Sequence, residues 1–253
     1  MVVVPNGKKI QVKNKASIIS GALHSVYSVF QPIIDLKSEK IFGYEALTRG
    51  KGKLKRPDEL FRFFYQHGEV TYLDLKCLNN SLNAMKKVAN DRYLFVNVEP
   101  ATLGECFKRG NPIEKLLKKI SPARRKQIVF ELTEGMKARD FSFIKRGVNF
   151  IKSFNCKFAI DDVSGIGVKL FKLTSLKPDF LKIDISLISG LSKKKWHQKI
   201  VRKLIEIAGE SNALIVAEGL ETIQDVHAVK SMGIHFAQGF YYARPAKTPL
   251  KSL

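Results

Sequence analysis

A modified (β/α)8 barrel of the α/β class is the fold predicted for this chain, and three observations carry the prediction. From residue 93 onward, short apolar runs alternate with amphipathic stretches, the pattern of a parallel sheet with helices outside it. The first two apolar runs, 27–34 and 41–47, are separated by a polar turn too short for a parallel crossover and suited to an antiparallel hairpin. Charged or amide side chains then stand at the C-terminal end of strand after strand, which is where the chemistry of such barrels sits.

Taken in order, residues 1–21 form a polar, basic lead with Pro5 and Gly7 and a helical turn near 17–23, expected to be peripheral and to carry no site. The barrel domain is drawn as 22–253. After the hairpin comes the basic loop 50–56, then Pro57 at a first helical position followed by the amphipathic run 60–65. A second helix is predicted over 71–88, with Leu75, Leu78, Leu82 and Met85 on one face. The alternation that follows places strands at 93–98, 128–132, 158–161, 180–183, 214–217 and 236–239. Helices are placed at 112–120, 141–154, 169–174, 196–209 and 222–232. Eight strands result, the first two hairpin-linked and the rest joined by right-handed crossovers. No linker, low-complexity tract or internal repeat divides the chain, so one domain is the economical reading.

Composition narrows the function. The chain has 253 residues, 45% apolar and 26% charged, as in an ordinary globular protein. No apolar run approaches the roughly 18 residues of a membrane span, and the apolar start is too short for a signal peptide, so a cytoplasmic location is expected. Cys77, Cys106 and Cys156 are widely spaced and imply neither a disulfide framework nor a zinc knuckle; the five histidines lack metal spacing. The formal net charge of +21 implies an anionic partner, whether a phosphate-bearing small ligand, nucleic acid or an acidic membrane surface. The basic runs 51–56, 124–126 and 193–195 read as solvated faces without the interleaved aromatics of a single-strand-binding groove, so nucleic acid and membrane are neither excluded nor favoured.

Read together, the strand ends carry Glu45 and Arg49, Asn97, Glu131 and Glu134, Asp161 and Asp162, Lys182 and Asp184, Glu218 and Glu221, and Gln238. So many acids converging in one mouth repel one another unless cations are bound. The set is all oxygen, with no His or Cys, which is the preference of Mg²⁺ or Mn²⁺ and not of zinc. Asp161 or its neighbour Asp162 is suited to bridge two ions about 3.5–4 Å apart, the arrangement that activates water for an in-line phosphoryl displacement. Arg49 and Lys182 are the groups to meet phosphate oxygens. The residues point to a phosphodiester hydrolase and leave its substrate unnamed.

The motifs also carry a resemblance. Gln31-Pro32-Ile33, then Tyr44-Glu45-Ala46-Leu47-Thr48-Arg49, Phe95-Val96-Asn97, Phe130-Glu131-Leu132-Thr133-Glu134 and Asp161-Asp162 stand in order, and Pro178-Asp179-Phe180-Leu181-Lys182-Ile183-Asp184, Ala217-Glu218-Gly219-Leu220-Glu221-Thr222, Gln238-Gly239 and Ala243-Arg244-Pro245 follow them. Over about residues 22–248 the chain resembles the EAL domain family, whose members hydrolyse the bacterial second messenger cyclic di-GMP to linear pGpG or bind it without turnover. The resemblance implies two metals, Mg²⁺ or Mn²⁺, held by Glu45, Asn97, Glu131, Asp161, Asp162 and Glu218. It implies a catalytic set of Glu218, Lys182 and Asp162, with Lys182 at the attacking water or scissile phosphate and Glu218 as the proposed general base. Gln31, Leu47, Arg49, Glu221 and Gln238 would line the nucleotide site, and Glu134 would anchor the loop after the aspartates.

That loop departs from the family pattern. The family usually continues Phe-Gly-Thr-Gly-Tyr-Ser-Ser, whereas here Val163-Ser164-Gly165-Ile166-Gly167-Val168-Lys169 follows, with both glycines displaced by one residue. In the family the loop positions the bridging aspartate and couples to a dimer interface. The leading expectation is a metal-dependent cyclic di-GMP phosphodiesterase, with a homodimer and a regulatory partner protein as further expectations. Its alternatives are a non-catalytic cyclic di-GMP receptor with an altered loop and, behind it, a protein or nucleic-acid interaction module.

Overall fold

The structure is a computed structural model that describes residues 15–104, 111–133 and 141–253, together with a short backbone ladder pairing Val2–Val3 with Lys9–Ile10. Eight strands close into a barrel. They are β1 (Tyr27–Asp35), β2 (Ile41–Arg49), β3 (Tyr93–Asn97), β4 (Ile128–Thr133), β5 (Lys157–Val163), β6 (Phe180–Ile183), β7 (Leu214–Ala217) and β8 (Phe236–Ala237). Strand β1 runs antiparallel to both its neighbours, β2 and β8, and every other pair is parallel. This is the modified (β/α)8 barrel with a leading hairpin that the sequence predicts. The hairpin turns because Asp35 accepts hydrogen bonds from the Lys37 and Ser38 amides at 2.8 and 2.9 Å, an Asx turn, and Glu39 takes a left-handed φ of 57°.

Helix α1 (Lys15–His24) precedes the barrel, and the helices that follow are α2 (Pro57–Gln66), α3 (Val70–Asn83), α4 (Pro100–Gly104), α5 (Pro112–Lys118), α6 (Pro122–Arg125), α7 (Phe141–Ser153), α8 (Val168–Thr174), α9 (Ile185–Ile188), α10 (Lys195–Glu210) and α11 (Ile223–Ser231). Side-chain caps open several of them: Asn111 accepts from Glu114 N at 3.1 Å, Asp184 from Ser186 N at 2.9 Å and Thr222 from Asp225 N at 3.2 Å. The helix expected over 71–88 ends at Asn83 and continues as a 3₁₀ turn, Ala84–Lys87. The strand expected over 236–239 is paired only at Phe236 and Ala237. Helix α1 starts within the expected peripheral lead, and its Ile19, Ala22 and Leu23 pack with Val26, Leu60, Phe64 and Leu73.

Two cores result from the strand period of two. Outward-facing residues such as Phe130, Ile160, Leu181 and Ile215 pack under the helices in one large cluster. Inward-facing residues Ile33, Phe95, Val129, Ala159, Phe180, Val216 and Phe236 fill the barrel. A register shift between β1 and β2 makes Phe42 an extra residue in its strand. Its ring turns inward to stack on Tyr93 (4.6 Å between centroids) and Phe236 (3.9 Å) and to meet Phe180 edge-on. The barrel is thus plugged by side chains and leaves no pore.

Candidate active site

The same periodicity builds the site. Two positions beyond the apolar filling, each strand presents its next inward residue: Asn97 after Phe95, Glu131 after Val129, Asp161 after Ala159, Lys182 after Phe180, Glu218 after Val216 and Gln238 after Phe236. On β2 the residue is Glu45, and on the antiparallel β1 it is Gln31, paired directly opposite Glu45. Eight strands therefore deliver one polar layer, resting on an aromatic and aliphatic floor.

Lys182 stands at the centre of that layer with no exposed surface. Its Nζ lies 2.7 Å from Glu131 Oε1, 2.8 Å from Glu218 Oε1, 2.9 Å from Asp161 Oδ1 and 3.3 Å from Glu45 Oε2. Asn97 Nδ2 donates to Glu45 Oε1 at 3.1 Å and to Glu131 Oε2 at 3.3 Å, which leaves its Oδ1 as an acceptor for a cation. Gln238 Nε2 donates to Glu45 Oε2 and, at 3.2 Å, to Glu218 Oε1, so this amide orients two of the acids. Gln31 is buried and donates to the Ala243 carbonyl at 3.1 Å.

One strand contributes two acids. Ile160 and Val163 are three residues apart, yet both pack into the outer cluster, and the pairing of β5 with β6 shifts register between them. The extra residue leaves both Asp161 and Asp162 toward the mouth. Asp162 takes the left-handed φ of 56° that the bulge requires, a conformation that aspartate tolerates better than most residues. Gly165 and Gly167 do not use the positive φ open to them: Gly167 is extended, with φ −161°, where it caps α8.

The carboxylates fall into two groups that share one member. Ligand oxygens of Glu45, Glu131 and Asp161 lie within 4.8 Å of one another, and so do those of Asp161, Asp162 and Glu218. Burial pushes Glu131, Asp161 and Glu218 upward, against the pull of Lys182. Asp162 is exposed as a residue, but the mouth wall around its carboxyl and the adjacent Asp161 push it up to about 6. Burial alone would also raise Glu45, but Lys182 and the Gln238 and Asn97 amides outweigh it and bring the group below its ordinary value. Burial likewise works against the Lys182 ammonium, and the surrounding acids overcome it and hold it charged. Five carboxylates against one ammonium leave four negative charges, which protons or further cations must offset. Oxygen-only donors in this number fit hard divalent ions. The centre is that of a divalent-metal-dependent site.

A cleft of about 280 Å³ leads away from the acids between β2, α2, α3 and the turn after β3. Leu47 and Arg49 line it, both half-buried, with Arg49 Nη1 donating to the Thr48 carbonyl at 2.8 Å. Glu221 lies exposed one residue ahead of the Thr222 cap and makes no hydrogen bond or ion pair among the described residues. Asp184 is taken up as the α9 cap, and Glu134 lies outside the described residues. Sequence reasoning missed the far wall of the cleft. Asp74, Cys77 and Ser81, at helical spacing on α3, are all buried and face it. Three small or polar residues at i, i+3 and i+7 beside an apolar stripe were the available signal. Asp74 Oδ2 accepts from Glu99 N at 2.9 Å and so fastens the turn that carries Asn97.

A closed, modified (β/α)8 barrel whose mouth holds an oxygen-ligand, two-group acidic centre defines the class. Within that class the chain belongs to the EAL domain family, whose profile matches residues 18–245. It is 24% identical over 223 residues to the cyclic di-GMP phosphodiesterase TpdA of Vibrio parahaemolyticus, covering 87% of this chain and 37% of that protein. To the probable cyclic di-GMP phosphodiesterase PdeN of Escherichia coli it is 28% identical over 231 residues, covering 87% and 43%. The chain thus spans about two fifths of the length of these curated relatives. Among solved structures, the c-di-GMP-bound form of a standalone EAL protein from Vibrio cholerae O395 superposes with a TM-score of 0.76 at 24% identity, over 90% of this chain and 95% of that one.

Proposed function

We propose that this chain is a metal-dependent phosphodiesterase that hydrolyses cyclic di-GMP to linear pGpG. The observation that carries the reading is the pair of carboxylate groups sharing Asp161 around a fully buried lysine. Glu45, Asn97, Glu131, Asp161, Asp162 and Glu218 are the residues that hold two ions, Mg²⁺ or Mn²⁺. When bound, the ions lower the pKa of water and neutralise phosphoryl oxygens. The remaining work falls to the chain. Glu218, the least enclosed of the acids around Lys182 with a side chain 13% exposed, takes the proton of the attacking water. Lys182 holds the layer together and meets charge that develops on the scissile phosphate. Water oxygen bonds to phosphorus, the P–O3′ bond breaks, and the 3′ oxygen leaves as a hydroxyl after receiving a proton, giving a 5′-phosphorylated linear dinucleotide. Arg49 and Leu47 line the nucleotide cleft, with Gln31 and Glu221 at its further margins. Gln238 acts by orienting Glu45 and Glu218.

The same reading includes a homodimer, for which the exposed Ile166 and Phe171 on and beyond the loop after Asp162 supply apolar surface, and a regulatory partner acting through it. Incubation of the chain with cyclic di-GMP and Mg²⁺ or Mn²⁺, followed by product analysis with a Glu45→Ala control, tests the activity. Formation of pGpG only by the wild type supports it. Intact nucleotide that co-elutes with the protein would overturn it in favour of a receptor that binds without turnover.

A further inference from the structure

The chain has one tryptophan, Trp196, and folding leaves it 69% exposed, the most of any large apolar side chain among the described residues and just ahead of Tyr72. It follows directly on Lys193, Lys194 and Lys195, all exposed. Along the outer face of α10 come Lys199, Arg202 and Lys203, also exposed, at the i+3 and i+6 to i+7 positions from Trp196. Among the described residues no ion pair involves Lys193, Lys194, Lys195, Lys199 or Arg202, and the only acid engaged on this face is Glu206, paired with Lys203.

This basic collar is also held in place. Buried Asp225 accepts from Gly190 N at 3.0 Å and Ser192 N at 3.1 Å, Gln198 Nε2 donates to the Leu191 carbonyl at 2.8 Å, and Lys194 Nζ donates to the Ser189 carbonyl at 2.9 Å. The ordering cost of presenting the lysines is therefore largely met before any partner arrives. A crossover helix returns antiparallel to its strands, so the N-terminal end of α10 lies at the same end of the barrel as the acidic layer.

From these features we propose that the Trp196 face of α10 is a docking surface for an anionic lipid bilayer. An amphipathic indole ringed by lysines matches the headgroup boundary, where tryptophan concentrates and each lysine gains from anionic lipid. A second copy of the chain fits poorly, because a two-fold contact would set lysine against lysine. A single-stranded nucleic acid is disfavoured by the lone aromatic, which offers no series of stacking platforms.

Because Trp196 is the sole tryptophan, its fluorescence reports this face alone. On titration of the full chain with vesicles of phosphatidylcholine and phosphatidylserine, the emission shifts to the blue, brominated acyl chains quench it, and added salt reverses both. Pure phosphatidylcholine vesicles leave it unchanged. Combined Lys193→Gln, Lys195→Gln and Lys199→Gln weakens vesicle binding about a hundredfold, and the wild-type titration carries the test if that variant folds poorly. No shift on anionic vesicles, an equal shift on neutral ones, a shift that grows with protein concentration without lipid, or a stronger response to an oligonucleotide than to vesicles at equal phosphate would each overturn the proposal.

Discussion

Lys182 Nζ stands 2.7 Å from Glu131 Oε1, and neither side chain has any exposed surface. An ammonium in such a place serves as a built-in cation, holding apart acids that would otherwise have to take up protons. Lys182→Met removes it at nearly constant volume. Stripping one partner from a buried charged cluster costs about 3–5 kcal/mol, on the order of 10 °C in melting temperature for a chain of this size. Glu131, Asp161 and Glu218 are already pushed up by burial and lose the opposing pull of Lys182, so the loss is greater at pH 8 than at pH 5.5, where proton uptake relieves their repulsion. Thermal melts at the two pH values, repeated with millimolar Mn²⁺ to restore part of the difference, check this.

Metal stoichiometry separates the two carboxylate groups. Asp161 belongs to both, Asp162 to one. Asp162→Ala is expected to reduce bound Mn²⁺ from two per chain to one, and Asp161→Asn to abolish tight binding at both positions. In the metal-free chain Glu131 and Glu218 are held above their ordinary values and Asp162 at about 6, so metal must displace protons. Affinity therefore rises with pH through the range around 6. Calorimetry in buffers of different ionisation enthalpy, beside direct metal analysis, reads both quantities.

Asp74 offers a pH signature away from the metal. Burial pushes its carboxyl up to about 7, more than the Thr102 hydroxyl and the Glu99 amide pull it down. Its folded pKa lies above the unfolded one, so its contribution to stability is complete below about pH 4 and is lost as pH rises through 7, by about 4 kcal/mol at ~1.4 kcal/mol per unit. Asp74→Asn keeps an acceptor for Glu99 N and removes the titration. Urea unfolding is expected to find the variant more stable than wild type at pH 8 and nearly equal at pH 4.

Gly239 is required for closeness of approach. A Cβ there would stand 2.1 Å from the Leu220 carbonyl oxygen and 2.2 Å from its nitrogen, in a turn where Leu220 N donates to Gln238 O at 3.1 Å and Tyr241 N donates to Leu220 O at 2.9 Å. Gly239→Ala forces these backbones apart at a cost of about 2–3 kcal/mol and displaces Gln238 from Glu45 and Glu218. A lowered denaturation midpoint together with weakened Mn²⁺ binding is the expected pair of results.

The barrel was legible because strand and helix periods differ and because one short turn, 37–40, admits only a hairpin. The polar layer was legible for a related reason: residues at strand ends inherit the inward or outward sense of the apolar residues before them. Two features escaped that logic. A bulge breaks the alternation it depends on, so the period alone would turn one of Asp161 and Asp162 away from the mouth; the sequence places both there as strand-end acids and by the family resemblance, not by register. Contacts between distant segments are equally silent, which is why neither the bonds from Gln238 Nε2 to two carboxylates nor the one from Glu99 N to Asp74 was foreseen.

The bulge in β5 has a consequence for counting. A barrel strand of strict alternation supplies its mouth with one inward side chain per layer, so eight strands offer eight places, and here lysine and two glutamines occupy three of them. The single inserted residue adds a ninth place without adding a strand. If two ions are held as proposed, the second depends on backbone register at one position, and a one-residue deletion there is expected to leave a centre that binds one.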